Sequence, residues 1–96
     1  MKIDSKKNGT ELTVSIEGSI NAVTAADLEK ELKAQLEGVT ELTLDFTGVS
    51  FVSSAGIRVV LWAYKQMNNQ ITLKNVNENV REVFEMTGLE TILNFA

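Results

Sequence analysis

The sequence predicts an α/β fold: a mixed sheet of four to five strands, opened by an N-terminal hairpin, with three main helices packed on it. Three observations carry the prediction. Asn8-Gly9 stands between two stretches of strand character, apolar alternation of period two recurs at three later places, and helix-length amphipathic segments separate those places. The chain has no proline and no linker, repeat or low-complexity segment, so its 96 residues read as one domain, 1–96.

The elements follow in order. KIDSKK and ELTVSIEGSI flank Asn8-Gly9, and Leu12, Val14 and Ile16 alternate with Thr13, Ser15 and Glu17. Both turn residues tolerate positive φ, which makes this a hairpin signal. Residues 18–23 read as a connector, and Thr24 as a helix cap whose hydrogen bond is returned by Asp27, a weaker form of the usual capping box. Leu28, Leu32 and Leu36 then mark one buried stripe, stopped at Gly38. Leu42, Leu44 and Phe46 begin a third strand that runs through TGVSFV. The segment from Gly56 to Met67 is apolar almost all round, as a helix packed on most sides would be. Ile71, Leu73 and Val76 mark a fourth strand, Val80, Val83 and Phe84 a last helix closed by Gly88, and Leu89 to Phe95 a final short strand.

Composition narrows the chemistry. With 44% hydrophobic and 23% charged residues the chain is ordinary for a folded domain, and its formal charge of −4 disfavours direct contact with nucleic acid or anionic lipid. Neither cysteine nor histidine is present, which removes disulfides, thiolate nucleophiles, ordinary zinc sites and the imidazole base. No run is long enough to span or insert into a membrane, so a cytoplasmic protein without cofactor or metal is expected.

The informative stretch is FVSSAGIR, residues 51–58. A serine at a strand-to-helix junction is a preferred N-cap, which accounts for one of Ser53 and Ser54. The other is surplus, and the small Ala55 and Gly56 leave the helix start bare. A phosphate ester there would lie in the positive end of the helix field. Catalysis is disfavoured: VSSAG lacks the first glycine of a nucleophile elbow, Lys65 lies about 16 Å along the helix from Ser54, and GVSFVSSAG lacks the lysine of a P-loop.

DFTGVSFVSSAGIRVVL, residues 45–61, resembles the signature of STAS-domain proteins of the bacterial anti-sigma-factor antagonist family. GSINAVTAADLEKEL, ITLKNVNENV and VFEMTGLETIL resemble further segments of that family in the same order. The resemblance implies a non-enzymatic, monomeric partner-switching protein. Its unphosphorylated form binds an anti-sigma factor that is also a serine kinase, thereby releasing the sigma factor. Phosphorylation of a helix-start serine ends binding, and a serine phosphatase resets it. Residue matching places the acceptor at Ser54, with Ser53 as the alternative. The family often has aspartate where Ser53 and Asn21 stand, and serine or threonine where Ala55 stands.

Asn21, Ser53, Ser54, Ala55, Gly56 and Arg58 are the expected partner-binding residues. Gly56 would act through its missing side chain, against the alternative of packing within the domain, and Arg58 as an exposed charge, against plain solvation. Another STAS role would be a non-catalytic subunit of an ABC-type lipid transporter or a signalling scaffold. The chain stops at Ala96, where family members usually continue into a helix, so the last strand is expected to be less covered.

Overall fold

The computed structural model describes residues 1–96. Strands β1 (Lys2–Asn8) and β2 (Glu11–Ile20) are followed by α1 (Ala22–Gln35), β3 (Glu41–Val52), α2 (Ser54–Gln66), β4 (Ile71–Lys74), α3 (Glu78–Met86) and β5 (Asn94–Phe95). The sheet order is β1-β2-β3-β4-β5, antiparallel for the first pair and parallel thereafter. Each helix links two neighbouring parallel strands in the same direction. Right-handed crossovers therefore stack all three on one face.

The register shows which face. Leu12, Leu42 and Ile71 form one row across the sheet and Val14, Leu44 and Leu73 the next, all buried beneath the helices. Thr13–Thr43–Thr72 and Ser15–Asp45–Lys74 form the opposite rows, a polar face with no helix on it. The core is a single cluster of 22 buried residues, and no polar or charged residue is buried. Phe84 of α3 fills the far end, its ring centroid 6.3 Å from Phe46 and 5.7 Å from Phe95.

Several local expectations are corrected. In the hairpin Asn8 pairs with Glu11, so the turn is Gly9-Thr10, and of these only Gly9 has positive φ, at 65°. That pattern puts glycine at the first central position of a two-residue turn. Residues 18–20 are not a connector, because β2 continues to Ile20 past irregularities opposite Gly48 and near Ser19. A Cβ on Gly48 would stand 2.6 Å from Glu17 Cγ and 3.2 Å from Glu17 Cα, so a larger residue here would have to push the Glu17 side chain aside. The fourth strand ends at Lys74 because Asn75 turns the chain with φ of 58°. Of the final segment only Asn94–Phe95 is strand, preceded by a 3-10 turn at Leu89–Thr91.

Helix α1 also starts earlier than its pattern suggests. Asn21, not Thr24, is the cap: its Oδ1 accepts from the N–H groups of Val23 and Thr24, each at 3.0 Å. Thr24 Oγ1 returns the bond by accepting from Asn21 N–H at 2.8 Å, and donates its proton to Ser19 C=O at 2.7 Å. The box is thus Asn-x-x-Thr, one turn ahead of Thr-x-x-Asp, and Asp27 takes no part in it.

Candidate functional site

The parallel strands β2, β3 and β4 all deliver their chains to a helix at the same end of the sheet. In open α/β sheets this carboxyl end is where binding residues gather. Here each helix start carries its own side-chain cap: Asn21 for α1, Ser53 for α2 and Asn77 for α3. Asn77 also ties its helix to the sheet, its Nδ2 donating to Val49 C=O at 2.8 Å.

The starts of α1 and α2 lie side by side. Ile20 and Val52 are paired across the ladder, and Ser53 N–H donates to Ile20 C=O at 2.8 Å. Asn21 and Ser53–Ser54 are therefore neighbours at one rim. A shallow groove between the helices is lined by Ala22, Ala26, Glu29, Ala55 and Arg58, with Trp62 at its end.

The two serines have different jobs. Ser53 is half-buried with extended backbone (φ −88°, ψ 173°), and its Oγ accepts from Gly56 N–H at 3.3 Å. Ser54 is the first residue of α2 and is exposed, and its hydroxyl takes no part in the cap. A group added to Ser54 oxygen would project into solvent beside unpaired amides of the first helical turn. The same group on Ser53 would displace the cap.

Arg58 lies one turn further along α2, exposed and in no ion pair; the ion pairs are Lys33–Glu29 and Arg81–Glu85. Gly56 is a correction. It is buried and faces inward, where a Cβ would stand 2.7 Å from Ile20 Cγ2 and 2.9 Å from Val52 Cγ1. Its missing side chain serves the close approach of α2 to the ends of β2 and β3, and the bare surface step consists of Ser54 and Ala55.

Two apolar residues at this rim were not anticipated from the sequence: Val23, 73% exposed in the first turn of α1, and Phe51, 52% exposed near the end of β3. A signal for Val23 was available, since it falls outside the Leu28–Leu32–Leu36 stripe. No group of three or more carboxylates is placed to hold a metal ion, and no helix is long and apolar enough to cross a membrane.

A single α/β domain with two capped helix starts side by side at the carboxyl end of its sheet is the class this arrangement defines. The chain belongs to the STAS domain family, whose model matches residues 2–96. BtrV of Bordetella bronchiseptica, designated an anti-sigma factor antagonist, is 36% identical over 100 residues that cover 100% of this chain and 86% of the relative. The anti-sigma-B factor antagonist of Bacillus subtilis is 27% identical, covering 100% of this chain and 91% of the relative. The structure of the anti-sigma factor antagonist SpoIIAA in its unphosphorylated form superposes with a TM-score of 0.86 at 19% identity, over 99% of this chain and 88% of that one, a likeness of fold.

Proposed function

We infer that this protein is an anti-sigma-factor antagonist that works by partner switching in the cytoplasm. Unphosphorylated, it docks the paired starts of α1 and α2 onto an anti-sigma factor with serine kinase activity and so frees the sigma factor. Phosphorylation of Ser54 ends the association, and a serine phosphatase restores it. The observation that carries the reading is the division of labour at the helix start: Ser53 caps, which leaves Ser54 exposed with a free hydroxyl.

The physics of the switch is local. A phosphoserine adds about −1.5 to −2 charge, which the first turn of a helix accommodates in the free domain. Against a packed partner the dianion must be desolvated. If that costs even about 4 kcal/mol, affinity falls roughly a thousandfold at about 1.4 kcal/mol per factor of ten. Refolding is unnecessary. The protein acts as a binding element and not as an enzyme, because no histidine or cysteine is available to activate Ser54.

The test is the intact mass of the protein after incubation with ATP and the serine kinases of its source organism, alongside Ser53→Ala and Ser54→Ala. One added phosphate, absent only from Ser54→Ala, is the expected result. Co-purification of a transporter ATPase, with no phosphate from any of those kinases, would overturn the reading in favour of a transporter subunit.

A further inference from the structure

The long free edge of the sheet is β1. At the opposite edge β5 has two residues and offers almost nothing to pair with, whereas β1 runs Lys2–Asn8 and is paired on one side only. Its hydrogen-bond phase follows from the turn. Asn8–Glu11 closes a two-residue turn and is therefore a bonded pair, so by alternation Lys6–Thr13, Asp4–Ser15 and Lys2–Glu17 are bonded too. The N–H and C=O groups of Ile3, Ser5 and Lys7 then point away from the sheet, and none of them joins a turn, cap or loop bond.

Departing from the monomer that the family resemblance implies, we propose that this edge is an interface between two copies of the chain, joined antiparallel about a two-fold axis at Ser5. Such a pairing is self-complementary, so every contact is made twice. With Ser5 opposite Ser5 of the second copy, Ile3 faces Lys7, and these are the residues whose backbone groups are free. Asp4 then falls opposite Lys6. Sliding by two residues one way sets Asp4 on Asp4 and Lys2 on Lys6, and sliding the other way sets Lys6 on Lys6. A register centred on Ile3 avoids like charges but pairs only residues 2–4 of the strand. Lysines on an edge strand ordinarily prevent pairing. Here they exclude the neighbouring registers and favour one.

The side chains of Ile3, Ser5 and Lys7 share the helix face, because their partners on β2 are Ile16, Val14 and Leu12. On that face a groove beside β1 is lined by Met1, Ile3, Asp27, Lys30, Glu31 and Ala34. Lys7 of the second copy, directly opposite Ile3, enters this groove with its methylene stem along Met1 and Ile3 and its ammonium towards Asp27 and Glu31. Lys7 has no ion-pair partner within its own chain. Ser54 belongs to the helix after β3, and β2 separates that strand from the proposed interface.

Sedimentation equilibrium of the full chain from micromolar to millimolar concentration tests the proposal. The average mass should rise towards that of a dimer. Asp4→Lys and Lys6→Asp, each turning two attractive cross-strand pairs into two repulsive ones, should each weaken association about tenfold to a hundredfold, and the double variant should restore it. The cysteine-free chain allows a check of register. Bonded antiparallel partners have Cα atoms about 5.5 Å apart, within disulfide range, so Ser5→Cys should oxidise to a covalent dimer. Asn8→Cys should not, since its two copies lie about 20 Å apart at about 3.4 Å per residue. A monomeric mass throughout, failure of the double variant to restore pairing, or equal cross-linking of both cysteine variants would overturn the proposal.

Discussion

Replacing Gly56 by alanine adds one methyl group at the point where α2 comes closest to the sheet. The added Cβ would stand 2.7 Å from Ile20 Cγ2, 2.9 Å from Val52 Cγ1 and 3.3 Å from Ile20 Cβ. Neither neighbour has room to swing aside, since Ile20 is 0% and Val52 1% exposed. Overpacking of this kind costs about 1–3 kcal/mol. Alanine returns up to about 1 kcal/mol through its better helix propensity, and less at the third residue of a helix than in its middle. The net expectation is a loss of about 1–2 kcal/mol, which for a chain of this size lowers Tm by about 5–15 °C. Urea unfolding followed by circular dichroism measures it as a lower midpoint with an unchanged slope. A Gly56→Ala protein as stable as the parent, or more so, would refute the packing account and return Gly56 to the list of surface contacts.

The two serines should separate in the same assay: Ser53→Ala loses about 0.5–1 kcal/mol with its cap, while Ser54→Ala, exposed and uninvolved in that cap, stays within about 0.5 kcal/mol of the parent. The reverse order would mean that the cap is misassigned. In a binding titration, Ser54→Asp should weaken docking on the serine kinase by at least about tenfold while the melting curve of the domain is kept, and unchanged affinity would count against the switch. Acid unfolding should report Asp45. Its carboxyl is held below the usual range, first by the Thr47 hydroxyl at 2.6 Å, and also by the Thr47 N–H at 3.0 Å, Asn75 and Lys74, against an opposing effect of burial. The folded state therefore binds this proton less readily than the unfolded chain, so the stabilisation is present above the ordinary aspartate pKa and is lost as pH falls through the lower folded value. Asp45→Asn should lose less stability than the parent between about pH 4 and pH 2, and parallel acid transitions would exclude the effect.

Much of the fold was legible because its rows of apolar residues are regular. Leu12–Val14–Ile16, Leu42–Leu44–Phe46 and Ile71–Leu73 alternate as strands with one face buried must, and all eight are core residues. The amphipathic stripe of α1 was equally plain, with Leu28 and Leu32 buried and Leu36 half-buried at the cap. Where local chemistry offered two equivalent starts, the pattern misled. Thr24-x-x-Asp27 and Asn21-x-x-Thr24 both read as helix caps, and the choice fell to Asn21 because Thr24 Oγ1 also bonds Ser19 C=O at the end of β2.

The rim shows the same division. That a serine would cap α2 followed from its place between strand and helix, and the family resemblance pointed to Ser54 as the acceptor. That Ser53 is the residue turned in to cap, leaving Ser54 outside, depends on the Ser53 N–H bond to Ile20 C=O, which fixes where the ladder stops and the helix starts. Val49 is a similar case. Counting by two from Phe46 would point Gly48 and Ser50 inward and Val49 outward, but the irregularity at Gly48 turns Val49 in and leaves Ser50 on the surface.

By itself the sequence determined the α/β class, the order of the elements, the composition of the core and the stretch in which function is concentrated. These depend on periodicity, turn residues and residue chemistry, which are properties of neighbours along the chain. Tertiary structure alone decided that all three helices share one face, that Gly56 is closed over by Ile20 and Val52, and that Asn21 and Ser54 meet at one rim although 33 positions separate them in the sequence. Those outcomes follow from the pairing register of distant strands and from the volume left between packed layers, and a short-range pattern carries no record of either.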